Sequence, residues 1–453
     1  MSSRGTYNSS GNRFFNTNGE DLGDLPQSGR LYGVLEADTH GYDDDGRSAE
    51  PIYMECVDAD WLDSLGITSA SRPELFFKFV QLRVVEVKDE SLLATHFYTG
   101  APAGTQVWFE MHYQVRHDGT QNASLYLGLY TEGTPVRLEK FFAIDSDSRV
   151  EALSRLFGSP LEREESREQE LLQSIRQQAR HCHAVAVYDV GQGSCQAMLH
   201  GRFNDPLYPI LYFDFGGGAL ANLSTFPTGL SNMCFSEVDA IVLSHWDWDH
   251  WSSAYRFPNS MKLPWIVPPV AEKPVQTTFA FELAKANADQ VVVFDSPPGT
   301  IVQIGDLTIG RCWGAKSNDS GVAALASVRD KMKQLHRCLL PGDCDYQHLP
   351  SNFLVPASWG LVMTHHGGVL RSDSLPIPGT VSVMACSAGP NNTYDHPRQP
   401  TIKAHTIAGW PQPVLTGTGG SRPLHLLLSP DMGIASRPGV CLRWPTGCMS
   451  AFR

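Results

Sequence analysis

The stretch LSHWDWDHW, Leu243 to Trp251, places two histidines, two aspartates and three tryptophans in nine residues. It overlaps the end of AIVL, Ala240 to Leu243, whose Ile241 and Val242 favour a strand, so the polar residues begin where the chain reaches a sheet edge. His245, Asp247 and Asp249 are spaced two apart and can point the same way from an extended or tightly looped backbone. His250 follows directly and faces a second position. One histidine and one carboxylate on each side suit two cations sharing a bridging water, about 3.5–4 Å apart, a pair that clamps a phosphoryl group and generates hydroxide at neutral pH. The alternative is a polar loop whose side chains merely cap strands. Four ligand-type groups crowded directly behind a strand favour metal.

The rest of the chain sets the context. Its 453 residues leave room for two or three domains, and 42% apolar with 18% charged residues is the balance of a soluble globular protein. A net charge of -13 argues against broad, non-specific adhesion to nucleic acid, while leaving room for a narrow phosphate site. The opening MSSRGTYNSSGNRFFNTNGEDLG lacks the apolar core of a signal peptide, and no run approaches the roughly 20 apolar residues of a membrane span. Ten cysteines without CxxC pairs read as buried free thiols in a reducing compartment, so a cytoplasmic protein without a membrane partner is expected. HCH, His181 to His183, looks like a ligand cluster but runs straight into an apolar strand.

Residues 1–30 are polar and rich in Gly, Ser and Asn, a composition that predicts disorder. Over 31–150, LYGVLEA, LFFKFVQLRVVEV, QVWFEMHYQV and ASLYLGLYTE read as strands between turn residues, predicting a smaller β-rich domain without a chemical constellation, whose default role is docking a protein partner. A linking helix is expected over 151–182, with Ser159 as N-cap and Pro160 at its first position. Over 183–453 the texture becomes α/β: HAVAVYDVGQG, PILYFDFGGG, VDAIVLSHWDWDH, RCLLPGDCD, WGLVMTHHGG and VSVMACSAG are apolar strands ending in Gly, Asp or His, which collects polar groups on one rim of a layered sheet.

These motifs carry a resemblance. HWDWDH resembles the HxHxDH signature of the metallo-β-lactamase superfamily, with Asp247 in place of the second histidine, a form characteristic of the branch that contains the hydrolase domain of ComEC-type DNA-uptake proteins and certain choline-phosphate esterases. YDVGQGSC, YFDFGGG, SNDSGVAAL, LLPGD, MTHHGG and SAGPNNTYDHP are similar to that branch's further motifs, in the same order. The resemblance covers most of 183–400 and implies an αββα sandwich in the C-terminal part.

It also implies roles. His245 and Asp247 bind one divalent ion, Asp249 and His250 the other, and Asp343 bridges. Of the histidines in THHGG one is a ligand and the other faces phosphate; His366 is taken as the ligand and His365 as the phosphate contact or proton donor. His396 is a further ligand, the acid for the leaving oxygen, or a residue that fixes its loop. Asp249, His365 and His396 are thus the catalytic set. Asp214 orients the ligand loop, and Asp189 and Gln192 line the same rim. The superfamily's isolated third-motif histidine is missing, and Asn318 and Asp319 stand near its place. Oxygen-rich ligation shifts preference from zinc toward manganese or magnesium.

The reaction implied is phosphodiester hydrolysis by a hydroxide activated by the two ions, with nucleic acid as first substrate and a toxic or defence effector as one setting. Two other classes compete. One is a small-molecule phosphoesterase of nucleotide or choline-phosphate type, for which Trp246, Trp248 and Trp251 would stack a base or surround a quaternary ammonium. The other is a non-catalytic interaction protein with a decayed site. Lys316, Arg371 and Arg398 lie near motifs and are candidate phosphate clamps, or ordinary surface charges.

Overall fold

The computed structural model describes residues 25–35, 52–64, 82–88, 107–144, 147–161, 165–178, 180–201, 207–270, 273–372, 374–417 and 423–437. The chain divides into two compact units, one of 1–40, 50–160 and 270–282, the other of 41–49, 161–269 and 283–453.

Strands of the first unit are β1 (Ser28–Leu35), β2 (Ile52–Asp58), β3 (Leu82–Val87), β4 (Trp108–Val115), β5 (Ala123–Tyr126) and β6 (Thr134–Ala143). They close into a barrel in the order β1-β2-β3-β5-β6-β4, which leaves no open edge among them. Period-2 alternation drives it: Met54, Cys56, Val85, Phe109, Met111, Leu125 and Leu138 pack together in one core. Gly33 belongs there because a Cβ would meet Cys56 Sγ and Met111 Cε at 2.6 Å. On the other face of β2, the buried carboxylate of Glu55 accepts hydrogen bonds from the N–H groups of Val275 (2.6 Å) and Gln276 (3.3 Å), in the opening turn of helix Pro274–Asn287. Free N–H groups at a helix start need acceptors, and a carboxylate there also meets the positive end of the dipole.

Two of the barrel strands, Ile52–Asp58 and Thr134–Ala143, were not among the sequence expectations, and 75–81 of the expected second segment fall outside the described residues. So do residues 1–24 of the segment expected to be disordered, whereas 28–30 already pair within β1. The stretch expected to form one linking helix holds two, Asp147–Leu156 and Glu165–Gln178; residues 159–161, which include the expected cap Ser159 and Pro160, are not helical, and 162–164 lie outside the described residues.

In the second unit, one eight-stranded sheet is built from β7 (Ala184–Val187), β8 (Gln196–His200), β9 (Tyr208–Phe213), β10 (Ala240–Val242), β11 (Trp265–Val267), β12 (Val291–Val293), β20 (His425–Ser429) and β21 (Gly433–Arg437). Its order is β12-β11-β10-β9-β8-β7-β20-β21. A seven-stranded sheet runs in sequence order: β13 (Ile301–Ile304), β14 (Leu307–Arg311), β15 (Val322–Arg329), β16 (Leu335–Leu340), β17 (Ser358–Val362), β18 (Pro378–Cys386) and β19 (Val414–Leu415). The sheets share one core, with Val185, Phe213 and Val242 of the first packed with Ile309, Ala324 and Leu340 of the second. Leu172 and Ile175 of helix Glu165–Gln178 join it, which explains that helix's sparse apolar stripe. The opposite face of the second sheet, with Leu325, Leu339, Leu361 and Met384, is covered by Phe353, Ile402 and Trp410 from the helical segments beyond it.

The pairings that matter for chemistry are parallel ones. β9, β10 and β11 run parallel, as do β16, β17 and β18, so their C-terminal ends gather the loops that follow them. No helix among the described residues is long and apolar enough to cross a membrane.

Candidate metal centre

Four strand ends deliver the site. His245, Asp247, Asp249 and His250 follow β10; Asp343 follows β16; His365 and His366 follow β17; His396 lies in the loop after β18. Residues separated by about a hundred positions meet around one carboxylate. Asp343 Oδ1 is 3.1 Å from His250 Nε2 and 3.7 Å from His366 Nε2, while Oδ2 is 3.6 Å from His365 Nε2 and 3.9 Å from His245 Nε2. On the far side, Asp249 reaches His366 Nε2 at 3.3 Å and His250 Nε2 at 3.8 Å.

Two sets of three ligand atoms lie within 4.8 Å of one another, His245 with His250 and Asp343, and Asp249 with His250 and His366. His250 belongs to both. Asp247 stands 3.2 Å from His245 Nε2 and outside both sets.

The imidazoles are oriented for ligation. His250 Nδ1 donates to Asp214 Oδ2 at 2.8 Å, and His366 Nδ1 donates to the Ser387 carbonyl at 2.7 Å. Ser244 Oγ gives its proton to Asp214 Oδ2 at 2.9 Å, so the 3.0 Å contact with His245 Nδ1 requires the ring to donate. In all three rings Nδ1 is thus a donor, and Nε2 is the nitrogen turned toward the cluster. Among the described residues, Nε2 of His245, His250 and His366 is buried in each case without a hydrogen-bond partner, and its near contacts are carboxylate oxygens at 3.1–3.3 Å. Buried nitrogens left so are costly unless something binds them, and a divalent cation fits this set of imidazoles and carboxylates.

Charge tells the same story. Burial pulls the His250 imidazole down, but Asp343, Asp214 and Asp249 outweigh it and hold the ring well above its ordinary range. Burial raises the Asp343 carboxyl, and His250, His365 and His366 together hold it far below the usual carboxylate range. The pocket therefore attracts positive charge at its centre, which protons or a metal ion supply.

The support around the ligands was only partly legible in sequence. Asp214, fully buried and in left-handed backbone (φ 59), accepts from Ser194 Oγ, Ser244 Oγ and His250 Nδ1 at Oδ2, and from the Ser244 N–H at Oδ1. Ser194, Ser244 and Ser387 carried no signal, since serines at such spacings are commonplace. Gly216 is demanded by space: a Cβ would stand 1.6 Å from the Asp249 carbonyl oxygen. His365 and His366 are both left-handed, φ 47 and 52, a kink that sends successive side chains into one cluster. The His365 and His396 rings meet edge-on with centroids 5.4 Å apart. Asn392 holds the His396 loop by accepting from the N–H groups of Tyr394 and His396 and donating to the carbonyls of Gly389 and His396.

Several expectations change. Trp246, Trp248 and Trp251 are each under 5% exposed, with Trp246 Nε1 bonded to the Pro268 carbonyl and Trp251 Nε1 to the Trp246 carbonyl. Their rings are closed to solvent, and the N–H groups of Trp246 and Trp251 are spent on backbone carbonyls. Asp319 does not replace the missing histidine: its Oδ1 accepts from the Asp345 N–H at 2.9 Å, bracing the loop behind Asp343. Arg398 bonds the Tyr394 carbonyl, and the Arg371 backbone bonds Asp345, while Lys316 is exposed. Cys344 is buried beside Asp319 and Asp345, and desolvation holds its thiol well above the ordinary value, leaving it inert as a ligand. His181 pairs with Asp306 and His183 packs on His200, and neither joins a ligand set.

No family model matches the chain, and no curated protein matches it. Among solved structures it is similar to YhfI from Bacillus subtilis, a metallo-β-lactamase fold protein, with 13% identity and a TM-score of 0.31 over 54% of this chain and 100% of that one. It is similar to Zn(2+)-bound PqqB from Methylobacterium extorquens at 11% identity and TM-score 0.30, again over 54% and 100%. MIM-1 from Novosphingobium pentaromativorans, a metallo-β-lactamase, matches at 15% identity and TM-score 0.20 over 34% of this chain and 59% of that one. The case for the site rests on its own side chains.

Proposed function

We propose that the chain is a metal-dependent hydrolase of the metallo-β-lactamase kind that cleaves phosphodiesters, nucleic acid first among them, with its second unit as the catalytic αββα sandwich. One observation carries the hydrolase reading: the bond-free, buried Nε2 atoms of His245, His250 and His366 converge on the carboxylates of Asp249 and Asp343. Divalent ions held there, zinc or manganese with magnesium also admitted by the oxygen ligands, would supply Lewis-acid charge and activate water. Asp343, with one oxygen toward His250 and His366 and the other toward His245 and His365, would be the carboxylate common to the residues that hold them.

The chain's own groups complete the chemistry. Asp214 fixes His250 on one side of the site, with Asp249 beside it. His365, partly exposed and edge-on to His396, would give a proton to a leaving oxygen, a role supported by its contact with His396 on the Asn392-held loop. The phosphodiester preference comes from the HxDxDH pattern. Burial of the tryptophans withdraws the argument for a choline or stacked-base pocket, and the intact ligand cluster speaks against a decayed site. The barrel is assigned no chemistry and is proposed to dock a protein partner.

The test is purified full chain with Mn²⁺, Mg²⁺ or Zn²⁺ against single- and double-stranded DNA, RNA, cyclic dinucleotides and a choline-phosphate ester, with Asp249→Ala alongside. Metal-dependent phosphodiester cleavage, lost in the variant, is expected. Cleavage that survives Asp249→Ala rejects the metal mechanism, and activity on the choline ester alone replaces the substrate class.

A further inference from the structure

The loop between β7 and β8 carries a buried amide that the ligand set does not use. Gln192 is 1% exposed, and its Nε2 has no hydrogen-bond partner among the described residues. Its other end is held: Oε1 accepts from the Gly389 N–H at 3.4 Å, and the Gln192 N–H donates to Thr225 Oγ1 at 2.8 Å. The backbone is equally constrained. Gly191 is left-handed and closely packed on Thr225, and a Cβ on Gly389 would lie 2.5 Å from Gln192 N.

The loop touches the loop of Asp249 and the loop of Ser387, whose carbonyl orients His366. A Cβ on Gly193 would lie 2.6 Å from the Asp249 carbonyl oxygen, and the Ser194 N–H donates to that same oxygen at 2.9 Å. Ser387 donates to the Gly193 carbonyl at 2.7 Å while its own carbonyl receives His366 Nδ1. Gln192 thus directly precedes the two residues, Gly193 and Ser194, that join the loop of Asp249 to the loop that orients His366, and is itself held by Gly389 of the latter. An amide with its oxygen and backbone tethered and both side-chain N–H groups unspent is a poised donor, and leaving it unmatched in the interior is unfavourable.

From this juxtaposition we infer that Gln192 is a substrate-positioning residue whose Nε2 donates to a non-bridging oxygen of a phosphoryl group seated at the metal centre. The inference rests on the phosphodiesterase reading for its substrate class. The side chain is neutral, so it adds direction without adding charge, and it complements cations that attract the anion but do not orient it.

The experiment uses metal-loaded full chain and inorganic phosphate as the probe. Phosphate affinity is measured by calorimetry for wild type, Gln192→Met and Gln192→Glu, with bound metal per chain and melting temperature recorded for each. Methionine keeps the shape and removes the donor; glutamate keeps the acceptor that receives the Gly389 N–H and presents an oxygen where the amide was. Gln192→Met is expected to weaken phosphate about tenfold, the size of one lost hydrogen bond to a charged acceptor, and Gln192→Glu more, with metal content unchanged. In wild type, the side-chain amide resonance of ¹⁵N-labelled Gln192 is expected to shift on phosphate addition. Equal phosphate affinity in wild type and Gln192→Met, or no phosphate binding by wild type, overturns the inference. If no phosphodiester is hydrolysed yet phosphate binding still depends on Gln192, the donor role stands and the hydrolase reading fails.

Discussion

His250 Nδ1 and Asp214 Oδ2 stand 2.8 Å apart with both residues fully buried, and this one hydrogen bond decides which nitrogen of His250 faces the cluster. The same oxygen takes protons from Ser194 and Ser244. A single carboxylate beneath the metal loop therefore sets the tautomer of His250 directly and that of His245 through Ser244.

Asparagine cannot do this, because one of its two side-chain atoms becomes a donor facing donors. Asp214→Asn is expected to lower divalent-metal affinity by roughly 10- to 100-fold, the usual scale for partners of ligating histidines. Competition dialysis against a metal chelator reads this directly, and unchanged affinity would show that Asp214 supports only the fold.

Gly216 predicts a steric failure. An alanine methyl would overlap the Asp249 carbonyl, so Gly216→Ala must push the ligand loop away. A loss of about 3 kcal/mol in denaturant-measured stability is expected, the upper end for overpacking, together with loss of bound metal. A variant as stable as wild type and fully metallated would contradict the packing described.

The tryptophans predict a separation of stability from substrate binding. Trp246→Phe removes the bond to the Pro268 carbonyl and should cost about 1–2 kcal/mol. KM for the cleaved phosphodiester should stay the same. A raised KM at unchanged stability would return the indoles to the binding surface.

His425 predicts an acid limit. Its Nδ1 accepts from the Asp189 N–H at 2.9 Å, which a protonated ring cannot do, and burial lowers its pKa to about 4. The folded value lies below the unfolded one of about 6.5, so the stability is fully present above pH 6.5 and is lost as pH falls toward 4. Between pH 7 and pH 5 the loss should be about 2 kcal/mol. His425→Phe, compared with wild type by chemical denaturation at both pH values in metal-free protein, should lose less than wild type on acidification. Equal losses would place the titration elsewhere.

Much of the second unit could be read from letters alone. Six apolar runs ending in polar residues became β7, β9, β10, β16, β17 and β18, because a strand buried on both faces must be apolar along its length and can turn polar only where it leaves the sheet. The barrel was less legible: β2 and β6 are interrupted by charged residues such as Glu55 and Glu139, whose partners Val275, Gln276 and Arg116 local patterning does not report. Among site residues, histidines and aspartates announce themselves by rarity. Ser194, Ser244 and Ser387 do not, and the tryptophans point wrongly, since an indole beside ligands looks the same whether it faces solvent or the core.

Sequence alone thus determined which residue types stand at the strand ends and in what order, because side-chain chemistry and strand periodicity are local properties. Only the tertiary structure decided which of those residues meet. It set Asp343 among four histidines, turned the three tryptophans inward, gave Asp319 to the Asp345 loop and tethered Gln192 between Thr225 and Gly389. Those outcomes depend on parallel strands bringing distant C-terminal ends to one rim, and on a left-handed kink at His365 and His366 that no spacing rule encodes.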